Sequence, residues 1–221
     1  MKKITIVLIF LLINTSISFS YNRGFVEIYV KGGLAKAENK DYQGAIQSYN
    51  KAIELEPICV EAYNNRTNAK RRLKNYSGAT QDYNKAIKLD PMFTDAYTNR
   101  SNLKITLKDF KNAMQDSNKA IKITPGLASA YSNRGLAKYH LRDYPCAIQD
   151  CTKSIKLDAK NDDAYLTRGV AKYKLEDNEG ALADFKKSAA LGNEQAFVNL
   201  KNIRQPNNMI QKQKYKYEYT F

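Results

Sequence analysis

The side chains able to do chemistry fall into three sets, and the set that enzymes use is thin. The chain holds one histidine, His140, and three cysteines, Cys59, Cys146 and Cys151. A general base needs a reacting group within hydrogen-bond reach and a third group to orient it. His140 has no such constellation around it in sequence and reads as a surface residue. One histidine and scattered cysteines do not have metal-ligand spacing. Asp162 and Asp163 are adjacent carboxylates, but they fall where a turn is expected, and solvated acids are ordinary there. Cys146 and Cys151 are five residues apart. On one helix that is about 7.5 Å of rise with side chains on different faces, beyond disulfide reach. Cys151 therefore reads as a small core residue and Cys59 as a free thiol in a turn. No glycine-rich phosphate loop follows a strand. The expectation is a non-catalytic protein with no cofactor and no metal.

The second set is ionic. Arg66, Arg100, Arg134 and Arg168 each have an aspartate sixteen residues later: Asp82, Asp116, Asp150 and Asp184. Where the arginine place holds Gly32, the aspartate place holds Ser48. Joint presence and joint absence predict a bidentate Arg–Asp pair between two helices. The alternative is that the arginines form a ladder for a ligand. The third set is amide-rich: Asn65, Asn99 and Asn133 share one place, with Asn64, Asn68 and Asn102 nearby. A carboxamide carries donors and an acceptor, so it can bond an extended backbone whatever its sequence. Arg71, Arg72, Tyr139, His140, Tyr173 and Lys174 lie farther along the same segments.

These sets are periodic because the whole chain is. A shift of 34 residues lays the segment from Ala62 on that from Ala96, then Ala130, then Ala164, with a fifth copy starting upstream at Ile28. Each copy reads as two helices. In the second helix of the first copy, Ala45, Ile46, Tyr49, Ala52 and Ile53 recur at three and four residues, which is one helical face. Pro57, Pro91 and Pro125 end the second helices. Small residues hold two constant places: Ala45, Ala79, Ala113, Ala147 and Ala181; and Gly33, Thr67, Ser101, Gly135 and Gly169. Antiparallel helices approach to about 8–10 Å only where such residues face each other. Tyr29, Tyr63, Tyr97, Tyr131 and Tyr165 supply bulk between copies. One hairpin cannot bury its own apolar face, so copies must stack.

This pattern resembles the tetratricopeptide repeat family. In the fourth copy Tyr131, Arg134-Gly135, Lys138, Ala147, Cys151, Ser154 and Ala159 stand at the family's signature places. Arginine replaces the usual leucine before the small residue. The resemblance implies an all-α, right-handed superhelical solenoid of antiparallel helix pairs: five repeats over 26–61, 62–95, 96–129, 130–163 and 164–195, then a capping helix at 196–204. It also implies that first helices line a concave surface for a protein or peptide. Asn64, Asn65, Asn68, Asn99, Asn102, Asn133, Arg71, Tyr139 and Tyr173 are the expected contacts. The Asn65–Asn99–Asn133 row resembles the asparagine ladder of the O-GlcNAc transferase repeats. The co-chaperone clamp for heat-shock chaperone tails is not implied. Asn65 fits it, but Val30, Leu34, Asp95 and Asn99 stand where it needs Lys, Asn, Lys and Arg.

The ends differ from the repeats. Lys2 and Lys3, the apolar run Ile4–Ile13 and then small polar residues read as a bacterial-type signal peptide over 1–20, cut after Ser20. Ten apolar residues are half of the roughly 20 that a spanning helix needs. Export to the periplasm or medium is expected, with an uncleaved amino-terminal anchor as the alternative and no span in the mature chain. The tail, 205–221, alternates Tyr215, Tyr217, Tyr219 and Phe221 with polar residues. It is expected to be flexible, with a strand added to a partner's sheet as the alternative. The formal charge is +14, and residues 1–20 hold two lysines and no acid, so the mature chain carries +12. An exported basic protein points to acidic proteins or anionic surfaces, and nucleic acid is not expected. The leading expectation is therefore a scaffold that holds a peptide or protein. The runner-up is an assembly factor of the envelope or secretion machinery that binds an anionic surface.

Overall fold

The computed structural model describes residues 23–203, all of whose regular elements are α-helices. The segment at 1–20 expected to be a signal peptide and the tail at 205–221 lie outside the described residues. Helix α1 covers 23–38. It is followed by α2 (Tyr42–Leu55), α3 (Val60–Arg72), α4 (Tyr76–Leu89), α5 (Thr94–Thr106), α6 (Phe110–Ile123), α7 (Ala128–His140), α8 (Tyr144–Leu157), α9 (Asp162–Lys174), α10 (Asn178–Ala190) and α11 (Glu194–Ile203). Odd-numbered helices are the first and even-numbered the second members of successive hairpins. The segment expected to cap the last hairpin lies in α11, which begins at Glu194. The chain divides into two compact units, residues 1–96 and 97–221.

The same local chemistry starts every second helix. Asp41, Asn75, Asp109, Asp143 and Asp177 are N-caps, and each side chain accepts a hydrogen bond from the backbone N–H three residues on. This satisfies one of the four donors that a helix start leaves open. The residue before each cap is left-handed: Lys40, Lys74, Lys108, Arg142 and Glu176 have φ between 59° and 65°. That conformation turns the chain in two residues. It costs each of these non-glycine residues about 1 kcal/mol.

Burial then follows the small-residue places. In unit 1, Ala45, Ala52, Ala62, Ala69, Tyr49 and Tyr83 are buried; in unit 2, Ala113, Ala130, Ala147, Ala164 and Ala181 are. The place shared by Gly33, Thr67, Ser101, Gly135 and Gly169 faces a residue sixteen later whose size varies. A Cβ on Gly135 would sit 2.7 Å from Cys151 Sγ and 3.2 Å from the Ala147 carbonyl. One on Gly169 would sit 2.6 Å from the Phe185 ring. In the third hairpin the facing pair is Ser101 and Ser117, whose buried hydroxyls lie 2.8 Å apart. Cys151 is fully buried among these contacts. Its pKa is raised by burial, so it stays a thiol and acts as a small apolar side chain. Cys59 is half-buried at the N-terminus of α3.

Candidate functional site

The constant arginines are committed to structure. In unit 1, Arg66 donates from Nε and Nη2 to the two carboxylate oxygens of Asp82, at 2.8 and 2.6 Å. Unit 2 repeats the fork at Arg100–Asp116, Arg134–Asp150 and Arg168–Asp184, with Nη2 at 2.6 Å each time. The aspartates are 4–5% exposed, so the bridge forms where water barely reaches. Charge-assisted bidentate bonds are strong there, and each raises the cost of losing a partner. Hydrogen bonding to Asp150 raises the Arg134 pKa further above its usual value.

Two partners of this network were not read from sequence. A lysine one turn after each arginine reaches the same carboxylate: Lys70–Asp82 at 2.7 Å, and Lys104–Asp116, Lys138–Asp150 and Lys172–Asp184 at 2.8 Å each. The remaining guanidinium nitrogen, Nη1, points to the preceding hairpin. Arg66 donates to Asn50 at 2.7 Å, Arg134 to Asn118 at 2.8 Å, and Arg168 to Thr152 at 3.2 Å. Each of these arginines thus ties three helices: its own, its partner, and the second helix of the hairpin before. The guanidinium also lies over the tyrosine three residues earlier, 5.3–5.8 Å from the ring centre. The fork and the stacked face that a ligand ladder of arginines would need are thus already used within the protein.

What the first helices still present is amide-rich. In unit 1, α3 carries Asn65 half-buried, Asn68 exposed and Arg71 half-buried, whereas Asn64, expected as a contact, is buried. The Tyr83 hydroxyl donates to Asn68 Oδ1 at 3.5 Å. In unit 2, α5 carries Asn99 and Asn102, both half-buried, and α7 carries Asn133. Asn133 Nδ2 donates to the Thr98 carbonyl at 3.0 Å, so one end of its amide joins α7 to α5. The Asn99–Asn133 pair is the part of the asparagine row that one compact unit contains.

Two aromatic positions differ from their expected roles. Tyr139 is 7% exposed and belongs to the core of unit 2, with Phe185, Leu166 and Val170. Its ring packs on Tyr144 at 5.7 Å, so it offers no surface to a ligand. Its sequence column, Ala37, Arg71, Ile105, Tyr139 and Tyr173, is apolar in four of five copies, which is the signal for burial. Tyr173 is half-buried and packs against that core. His140 is not the free surface residue expected: it is half-buried and stacks on Phe110, with centroids 4.3 Å apart and planes at 7°.

Burial, helped by the Lys108 charge, lowers the His140 pKa below its usual 6.5. The sign follows from linkage: the unfolded chain takes up a proton first as pH falls. The stability held by neutral His140 is therefore complete above about pH 6.5 and is lost as pH falls through the lower folded-state value. His140→Phe keeps the stack and removes the proton. The wild type should lose stability relative to this variant between pH 6.5 and 5, measured by urea unfolding as a difference that isolates one group. A difference that stays flat across that window would remove the assignment.

Among the described residues no cluster of three His, Cys, Asp or Glu could hold a metal ion, and no helix is long and apolar enough to cross a membrane. The tetratricopeptide repeat model matches residues 26–59, 60–91 and 94–126. No curated protein matches the sequence. Solved structures share the fold at low identity. PilF of Pseudomonas aeruginosa matches at 17% identity over 88% of this chain and 93% of its own, with a TM-score of 0.73. MamA matches at 21% over 89% and 97%, with a TM-score of 0.63. YrrB, described as a tetratricopeptide repeat protein with an unusual peptide-binding site, matches at 19% over 79% and 90%, with a TM-score of 0.61.

Proposed function

We propose that this chain, which carries tetratricopeptide repeats, is an exported, non-catalytic scaffold that holds an extended segment of another protein against its first helices. The observation that carries the reading is a division of labour among polar side chains. The arginines, lysines and aspartates of the hairpins pair with one another in the repeat core, and Asn99 and Asn102 on α5 and Asn133 on α7 are partly exposed at other places of the same helices. Amides at one repeated place suit a peptide backbone, which presents N–H and C=O groups at regular spacing. YrrB lends support as a protein of this fold with a peptide-binding site. The apolar run at 4–13 and the small residues before Ser20 support export.

A photo-crosslinking residue tests this. Placed at Asn102, it should capture a defined protein in the native cell, and placed at Gln149, on the outer face of α8, it should not. Asn99→Ala should reduce the Asn102 adduct about tenfold, the worth of one charge-neutral hydrogen bond set in a desolvated contact. Equal adducts from both places, or none from Asn102, would sink the reading. Amino-terminal sequencing of the native protein would show Tyr21 if the leader is cut after Ser20, and Met1 or Lys2 if it serves as an anchor.

A further inference from the structure

The charges of unit 2 are segregated in a way the peptide-holding reading does not use. Besides Lys111 in the first turn of α6, its second helices, α6, α8 and α10, carry Lys119, Lys122, Lys153, Lys156, Lys186 and Lys187. Five of the six are exposed and Lys119 is half-buried. At 100° per residue they lie away from the buried stripe of each helix, which in α6 is Ala113, Asp116, Ser117 and Ala120. The same outer faces are almost free of acid. Asp116 and Asp150, the only carboxylates of α6 and α8, are buried under arginine, and α10 adds one exposed acid, Glu179, in its first turn. Among the described residues no carboxylate pairs with these six lysines. The first helices give the contrast: α7 has no acid, and its Arg134 and Lys138 are both bound to Asp150.

Helix electrostatics explains only part of this. A cation in the last turn complements the C-terminal end of the dipole, which accounts for Lys122, Lys156 and Lys187. It does not account for Lys119, Lys153 and Lys186. We propose that this lysine face docks on the surface of an anionic phospholipid bilayer. The composition of the face selects this partner. All six cations are lysines, flexible point charges, while the planar arginines suited to directional recognition are used inside. Between them stand Gln115, Asn118 and Gln149, all exposed, with no aromatic or arginine anchor of the kind that centres a protein interface. An array of point charges without geometric detail suits a surface whose own charges are mobile. Each lysine near such a surface adds about fivefold to affinity. The proposal concerns the side opposite the amide row and stands or falls apart from the peptide reading.

Flotation of the full chain with vesicles is the test, comparing phosphatidylglycerol–phosphatidylcholine with phosphatidylcholine alone. The second lipid reports whatever the apolar run at 4–13 contributes. The anionic vesicles should bind at least about a hundredfold more tightly, and the difference should vanish in high salt. The variant K119E/K122E/K153E/K156E should lose on the order of a hundredfold toward anionic vesicles and nothing toward neutral ones. Helical circular dichroism checks folding, and the four Lys→Gln changes, milder in charge, replace it if the reversal unfolds. Equal binding to the two lipids overturns the proposal. So does a variant that keeps the wild-type difference, which would place the attraction in the tail lysines Lys212, Lys214 and Lys216. Tighter binding to duplex DNA than to anionic vesicles at one salt concentration overturns it as well.

Discussion

Asp150→Ala should destabilise the chain by about 3 kcal/mol, the low end for removing one partner of a buried ion pair. The carboxylate takes Nε and Nη2 of Arg134 at 2.8 and 2.6 Å and Lys138 Nζ at 2.8 Å. Its removal leaves two cations side by side with nothing between them. Their side chains remain about one-fifth exposed, so water recovers part of the loss, which is why the low end applies. Most of the cost is stranded charge, not lost attraction. The double variant Arg134→Leu, Asp150→Ala should therefore cost less than Asp150→Ala alone, even though it removes more. Leucine is the residue that resembling repeats carry at the Arg134 place. Urea unfolding with slopes compared between variants measures both. A double variant less stable than the single one would show that Arg134 stabilises the hairpins without Asp150, through Asn118 and Tyr131, and that stranded charge is not the main cost.

This network also shows where a single sequence is legible. The period of 34 is visible because each hairpin must bury the same face, so packing writes one pattern five times. The Arg–Asp pairing is visible because the first copy lacks both members, at Gly32 and Ser48. Covariation inside one chain needs such an exception. The lysine had none: Lys36 stands in the first copy too, where its Nζ donates to Ser48 Oγ at 3.0 Å in place of a carboxylate. A residue that never varies cannot be assigned a partner by absence. The bonds from Arg66 to Asn50 and from Arg134 to Asn118 were hidden for another reason. They run between hairpins, sixteen residues backward, so no reading of one copy contains them.

The amide face was legible only as a set of places. Repeat register gives equivalent positions similar directions, but burial depends on what the next hairpin lays over them. Tyr139 and Arg71 share a place, yet Tyr139 is covered by Tyr144 at the start of α8 and Arg71 remains half-buried. Asn133 and Asn99 share another place, and Asn133 uses its amide nitrogen to hold the Thr98 carbonyl. Direction is a property of the helix and follows from sequence. Coverage is a property of neighbouring side chains whose sizes vary from copy to copy.

That variation in size has its own measurable consequence at the Gly169–Phe185 contact. A Cβ at Gly169 would meet the Phe185 ring at 2.6 Å and the Asp184 Cβ at 3.3 Å. Phe185 is 3% exposed and cannot swing away into solvent. Gly169→Ser should therefore cost about 2 kcal/mol by overpacking. Phe185→Ser alone opens a cavity and should cost at least about 3 kcal/mol. The third hairpin shows a backbone of the same kind closing over two serines, Ser101 and Ser117, with Ser101 Oγ also donating to the Ala113 carbonyl at 2.9 Å. Gly169→Ser with Phe185→Ser copies that solution, filling part of the space and pairing both hydroxyls. The double variant should then cost about 1–2 kcal/mol less than the sum of the single ones, a coupling expected only of residues in contact. Denaturant unfolding of the four proteins gives the cycle. Strict additivity would mean that the two places do not set each other's size, and that the varied pairs along the chain are independent choices.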